Sequence, residues 1–156
     1  YEQHDVKIIF RTMKTMTKAI LLLLMALTMP MVVNAKNIKT PKVYIFGFSA
    51  SFQDSTIYMT DVQEITNVWI ESKTKFLLGR EHYSRQLNEY LTAQQHPNRV
   101  CLVIFALKRE DAEKKYLKMR KQYTSKSKRK YDMKYLNTND FKFSTVNLDI
   151  EEEPKK

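Results

Sequence analysis

The sequence predicts an α+β fold: a mixed, mainly antiparallel sheet of four or five strands, with two helices packed on one face. Three observations support it, namely an alternating apolar run over 43–52, a fully apolar run over 100–107, and two segments with helical periodicity. An apolar period of two is typical of strands, whereas recurrence every three or four residues is typical of helices. Strands followed by alternating helices and strands favour a layer of helices on a sheet.

The first two strands are predicted to form a hairpin. Residues 43–52 carry apolar side chains on both faces, and the sequence Gln-Asp-Ser that follows is typical of a turn. Residues 56–62 then form the antiparallel partner, and a short third strand is predicted over 67–71. The alternating side chains of the first strand are Tyr44, Phe46, Phe48, Ala50 and Phe52 on one face, and Val43 and Ile45 on the other.

Two helices alternate with two further strands in the second half of the chain. The first helix is predicted over 81–95 and stops before Pro97, because the residue before a proline disfavours helical geometry. The apolar run over 100–107 predicts a central strand that is covered on both faces. The second helix is predicted over 110–123, where acidic residues in the first turn and basic residues in the last complement the helix dipole. A final strand is predicted over 141–150, with a bulge at Ser144 and Thr145.

The N-terminal region has the pattern of an export signal. Residues 13–35 combine two lysines, an apolar block and a small-x-small exit at Val33 and Ala35, and therefore predict a secretory signal peptide cleaved after Ala35. An uncleaved anchor is the alternative, but the apolar run over 19–33 is shorter than the roughly 20 residues that a membrane-spanning helix needs. Residues 1–12 are interpreted as upstream read-through, with a natural extension as the alternative. The remainder divides into a single domain over 36–150, containing a flexible basic loop near 124–134, and a charged tail over 151–156.

Export restricts what the mature chain can be. We expect a periplasmic or secreted protein of a bacterial envelope with no membrane span after residue 35. Cys101 is the only cysteine, so an intramolecular disulfide is impossible. Its apolar surroundings predict a buried core thiol, and a disulfide to another chain is the alternative.

The excess positive charge is confined to one segment. Residues 108–134 contain 12 lysine and arginine residues and 4 acidic ones, a net charge of +8, whereas the rest of the mature chain is neutral. Such clustering predicts an anion-binding face toward an anionic envelope polymer, an anionic lipid surface or a protein partner, with a solvated helix face as the alternative. Nucleic acid is not expected in this compartment. The candidate residues are Lys114, Lys115, Lys118, Lys121, Lys128, Arg129 and Lys130.

Catalytic signatures are weak. The sequence Gly47-Phe48-Ser49-Ala50-Ser51 resembles a nucleophile elbow, but that motif turns from a strand into a helix, and here a second strand follows. His82 and His96 are the only histidines after the signal peptide. Two glycines are too few for a phosphate-binding loop or a dinucleotide fingerprint, and no zinc-ligand spacing occurs. No catalytic residue, cofactor or metal is therefore predicted.

Three segments carry a family resemblance: VYIFGFSASFQDST at 43–56, KFLLGR at 75–80 and RVCLVIFALKREDAEKK at 99–115. Together they resemble small exported proteins of unknown function from Gram-negative anaerobes. The resemblance implies a periplasmic or secreted location and supplies no catalytic residues.

The sequence thus favours a small exported envelope protein that acts as a non-catalytic binding or accessory module with a basic face. The alternative is a small envelope hydrolase whose site is assembled only in three dimensions, because paired carboxylates can meet in a fold without any sequence motif.

Overall fold

The computed structural model describes residues 36–150, which belong to one unit of the chain, Ala35–Lys156. The predictions for residues 1–35 and 151–156 lie outside this range. Within it the chain forms five strands and two helices: β1 (Asn37–Ala50), β2 (Thr56–Thr60), β3 (Gln63–Glu71), α1 (Arg80–Ala93), β4 (Val100–Ala106), α2 (Arg109–Tyr123) and β5 (Asp132–Leu136).

The long strand β1 organises the sheet. Its first part pairs antiparallel with β3, from Asn37↔Glu71 to Ile45↔Gln63, and its later part pairs with β2 at Phe48↔Met59. Its other edge pairs antiparallel with β4. Because a strand has only two edges, β2 and β3 follow one another along the same side of β1.

A one-residue shift in register separates β2 from β3. Gly47 lies opposite this shift, and its amide donates to the hydroxyl oxygen of Thr60 at 2.8 Å. An extra residue in one of two paired strands leaves a backbone group without its ladder partner. The Thr60 side chain supplies that partner inside the core, where Thr60 is fully buried.

The predicted fold class is confirmed. Strand β5 pairs parallel with β2, from Thr56↔Asp132 to Thr60↔Leu136, whereas every other pairing is antiparallel among the strands of residues 36–150. The sheet is therefore mixed and mainly antiparallel, and with two helices it gives an α+β domain. The parallel strand is built from residues 132–136, so the basic loop expected near 124–134 is shorter than predicted.

The helices lie on opposite faces of the sheet, which corrects the expectation that both pack on one face. Val43 and Ile45 of β1 pack with Leu87 of α1, whereas Phe46 and Phe48 belong to a second cluster that contacts α2. Successive side chains of a strand point to opposite faces. Apolar residues at both odd and even positions of β1 therefore require a cover on each side.

Each helix contributes one apolar stripe to its own cluster. In α1 the buried residues are Tyr83, Leu87 and Leu91. In α2 the stripe consists of Ala112, Tyr116, Met119 and Tyr123, at the spacing predicted from the sequence. The ring of Phe46 meets that of Tyr116 edge-on at 5.3 Å, and Phe48 packs on Tyr123 at 4.9 Å.

The prediction of a strand over 141–150 is wrong, because this segment pairs with no strand of the described residues. Phe141 and Phe143 are buried in the α1-side cluster, as an apolar strand would be. Their backbone groups, however, bond to a side chain: the amide nitrogen of Gln63 donates to the Phe141 carbonyl at 2.8 Å, and the Phe143 amide donates to the Gln63 carbonyl at 2.9 Å. There is accordingly no bulge at Ser144 and Thr145.

Strand β4 is not the central strand that its apolar sequence suggested. Within residues 36–150 it pairs only with β1, so it forms an edge of the sheet. Val100 and Leu102 are 53% and 37% exposed. Its apolar run reflects α1 and α2 packing on either side rather than strands on both edges.

The other element boundaries differ from the predictions by a few residues. Strand β1 begins six residues earlier than expected and ends before Phe52, which is 98% exposed. Helix α1 was predicted to end at residue 95, before Pro97. It ends two residues earlier, at Ala93. None of the helices in the described part of the chain is long and apolar enough to cross a membrane.

Candidate anion-binding surface

A groove of about 770 Å³ runs beside β4. Its apolar lining comes from β4 and from the two segments that flank it, the connection before α1 and the start of α2. Phe76 and Leu107 remain 52% and 40% exposed. The lining residues are Thr74, Lys75, Phe76, Arg80, Ile104, Phe105, Ala106, Leu107, Lys108, Asp111, Lys114 and Lys115.

The charge of this groove is strongly positive. Five of its lining residues are lysine or arginine and only Asp111 is acidic, and Asp111 already lies 3.8 Å from the Lys114 ammonium. A concave, partly apolar surface with charges of one sign concentrates the electrostatic potential and attracts the opposite charge. The groove is therefore suited to an anionic ligand that also carries apolar groups.

Arg80 is the first residue of α1, and its side chain lines the groove. It follows Gly79, which adopts a left-handed conformation (φ 71°) that glycine accommodates without strain. The Arg80 Nη2 donates to the Val103 carbonyl of β4 at 3.1 Å. Its guanidinium also lies 5.7 Å from the ring centroids of Phe76 and Phe105, within the range of a cation–π contact.

Lys115 approaches the same strand from α2, on the other face of the sheet. Its ammonium donates to the Phe105 carbonyl at 2.9 Å and lies 5.9 Å from the Phe105 ring. Phe105 is thus contacted by two cations, one from each helix. The side chains of Arg80 and Lys115 are long and have several rotatable bonds, so either can turn toward a ligand without a change in the backbone.

The structure places the predicted basic residues in three groups. Lys114 and Lys115 line the groove, and Lys118 and Lys121 lie farther along the exposed side of α2. Lys128, Arg129 and Lys130 lie in the loop before β5, where Arg129 donates to the Ser55 hydroxyl at 3.2 Å and stacks over Tyr131. All seven are exposed.

Sequence reasoning did not identify Lys75, Arg80 or Lys108 as members of this surface. Lys75 and Arg80 lie outside the charge-rich segment over 108–134, so charge clustering along the chain could not reveal them. They reach the groove because β4 brings the start of α1 and the start of α2 to the same edge. Lys108 does lie in the charge-rich segment. Its position directly after the apolar run over 100–107 could have indicated that it belongs to this surface.

The near match to a nucleophile elbow lies inside a strand. Ser49 is fully buried in β1, and its hydroxyl accepts from Arg99 Nε at 3.2 Å and from the Cys101 thiol at 3.4 Å. Buried polar groups need such partners. Cys101 is half-buried, so the expectation of a fully buried core thiol is corrected. It lies on β4, which forms an edge of the sheet in the described part of the chain.

Arg99 holds the β1–β2 turn together. Its side chain is only 3% exposed, and its Nη1 lies 2.9 Å from the Asp54 carboxylate. Its Nη2 donates to the Thr56 carbonyl, and its guanidinium stacks over Tyr58 at 4.9 Å. The Thr56 amide and then the Arg99 guanidinium hold the pKa of Asp54 below its usual value of 3.8. All three guanidinium nitrogens of Arg99 thus donate to acceptors in the turn or in the strands beside it.

The two histidines of residues 36–150 lie at opposite ends of α1. His82 is 3.5 Å from the Glu81 carboxylate, and the ring of His96 packs on Tyr58 at 5.2 Å. Over residues 36–150 no three histidine, cysteine or acidic side chains are grouped closely enough to bind a metal ion.

No known protein family, curated protein or solved structure matches this chain.

Proposed function

We propose that this chain is a small exported binding module of the bacterial cell envelope, which acts by holding an anionic partner rather than by catalysis. The groove beside β4 supports this proposal, because five cationic side chains and one carboxylate surround an apolar lining. The signal-like sequence over 13–35 supports export.

The exposed lysines of α2 extend the positive surface away from the groove. Lys114, Lys118 and Lys121 recur at the helical spacing that places them on one side, opposite the buried stripe of α2. In this proposal Lys118 and Lys121 attract the partner over distances up to the Debye length, about 8 Å at physiological ionic strength, and the groove residues, including Lys114, make the close contacts.

Cosedimentation with anionic envelope fragments at increasing salt tests the proposal. Wild-type protein should bind at low salt and be released as salt rises, because exposed ion pairs are screened. Reversing Lys114, Lys118 and Lys121 to glutamate should weaken binding by at least about tenfold. The helix should survive, because glutamate forms helices nearly as well as lysine.

A matched control reverses three exposed lysines outside the groove and outside α2, namely Lys42, Lys73 and Lys142. The two variants have the same net charge, so a difference between them reports position rather than total charge. Equal binding by both variants, or no binding by the wild type at low salt, would contradict the proposal.

A further inference from the structure

Two cationic side chains bond to the outer edge of β4. In the described part of the chain, the only strand paired with β4 is β1. The carbonyls of Val103 and Phe105, two residues apart, accept hydrogen bonds from Arg80 and Lys115 at 3.1 and 2.9 Å. Alternate residues of a strand direct their backbone groups to the same edge. These two carbonyls therefore occupy the positions at which an added strand would donate its amides.

The hydrogen bonds from Arg80 and Lys115 determine which kind of strand this edge can accept. A neutral strand that displaced Arg80 and Lys115 would leave two cations without their acceptors. The same edge of a second copy would bring its own Arg80 and Lys115 against these two, and like charges in contact disfavour that pairing. A strand with acidic side chains instead gives both cations a new partner as they leave the carbonyls, while its amides replace them there.

The surroundings of the edge suit an acidic strand on both of its faces. Side chains of an added strand would alternate between the two faces of the sheet. On the α1 side they would meet Arg80, and on the α2 side Lys108, Lys114 and Lys115, which all line the groove. Phe76 and Leu107, both partly exposed, offer contacts to apolar side chains between the acidic ones.

We propose that β4 binds an extended acidic peptide segment as an additional antiparallel or parallel strand, with Arg80 and Lys115 transferring from the β4 carbonyls to the carboxylates of the peptide. This inference rests on the proposed function, since it names the anionic partner as a polypeptide and the groove as its site. Main-chain hydrogen bonds supply affinity in this mode of recognition, and side chains supply specificity.

Titration calorimetry with three synthetic peptides tests the inference. The first alternates glutamate and valine, the second replaces each glutamate with glutamine, and the third keeps the glutamates but carries N-methyl groups on consecutive backbone amides, so that neither edge of the peptide keeps its donors. Both changed peptides should bind at least about tenfold more weakly than the first. The third is decisive, because it retains the charge and loses only the amides that an added strand donates.

Two variants of the protein complete the experiment. Lys115→Gln should weaken binding of the acidic peptide by about fivefold or more, whereas Lys142→Gln, an exposed lysine outside the groove and outside α2, should leave it unchanged within about twofold. Circular dichroism checks that both are folded. Equal loss in the two variants would show that total charge, and not the edge of β4, determines binding.

The remaining outcomes separate this inference from the proposed function. Equal affinity for the N-methylated and unmodified acidic peptides would overturn strand addition and leave an anion-binding surface. Binding to anionic phospholipid vesicles without binding to the acidic peptide would make the partner a lipid surface, and a concentration-dependent dimer in sedimentation would make it a second copy. Either result overturns the inference. Failure to bind any of these anionic probes would overturn the proposed function as well.

Discussion

Gln63 takes the place of a strand for Phe143: the side-chain carbonyl of Gln63 accepts the backbone amide of Phe143 at 2.9 Å inside the core. The same side chain donates to the Phe141 carbonyl at 2.8 Å, and Gln63 is only 5% exposed. One amide side chain thus satisfies two backbone groups that would otherwise be buried without partners, which would be costly. The segment is anchored without joining the sheet.

Replacing Gln63 with leucine should lower the free energy of unfolding by about 2–4 kcal/mol, since two buried backbone groups lose their partners. Gln86 provides a matched control. It makes the same pair of bonds, to the backbone of Ser144, at 2.9 and 2.8 Å, but at the surface. Gln86→Leu should cost less than about 1 kcal/mol, because water replaces the lost bonds. Urea denaturation of both variants measures the difference, and equal costs would argue against the burial explanation.

Replacing Arg99 with methionine should lower the free energy of unfolding by about 2–4 kcal/mol, because Ser49 and Asp54 lose a buried cationic partner. Arg109→Met is the control. The Arg109 guanidinium lies 4.9 Å from the Tyr44 ring, as Arg99 does from Tyr58, but its side chain is 51% exposed. The control should cost less than about 1 kcal/mol. Thermal and chemical denaturation check both values, and a control as damaging as Arg99→Met would mean that ring stacking dominates.

Asp54 should make the domain less stable in acid. Its pKa is held below the usual value of 3.8, first by the Thr56 amide and then by Arg99. The unfolded state therefore binds the proton more readily, so the contribution of Asp54 is present above pH 3.8 and is lost as pH falls through its lower pKa in the folded state. Asp54→Asn should flatten this part of the stability profile. Denaturation at a series of pH values below 5 measures it, and parallel profiles for the two proteins would contradict the assignment.

Gly47 should not tolerate a methyl group. A Cβ at this position would lie 2.6 Å from Leu87 Cδ2, with Phe143 and Thr60 carbons at 3.2 Å. Gly47→Ala should therefore lower the free energy of unfolding by about 1–3 kcal/mol through overpacking between β1 and α1. In a double-mutant cycle, Leu87→Ala removes the closest atom. The alanine at position 47 should then cost measurably less than in the wild-type background. An unchanged cost would locate the strain elsewhere.

The sequence by itself determined the features that depend on local pattern. Alternation in β1, the apolar stripe of α2 and the position of Pro97 predicted strand, helix and helix end within a few residues, because side-chain period and backbone restriction act over neighbouring positions. The sequence also showed that the excess positive charge is concentrated in residues 108–134. The role of this charge in binding stays a prediction.

Only the tertiary structure decided which partners each element meets. Both β4 and the segment after Phe141 have the apolar character of strands, yet β4 lies at an edge and the segment bonds to Gln63. A buried segment needs an apolar sequence regardless of which group packs against it. The apolar pattern therefore cannot tell whether the neighbour is a strand, a helix or a glutamine side chain. The groove depends on the same long-range choice. Arg80 and Lys115 are distant in sequence, and they meet at Phe105 because helices on opposite faces of the sheet reach the same open edge.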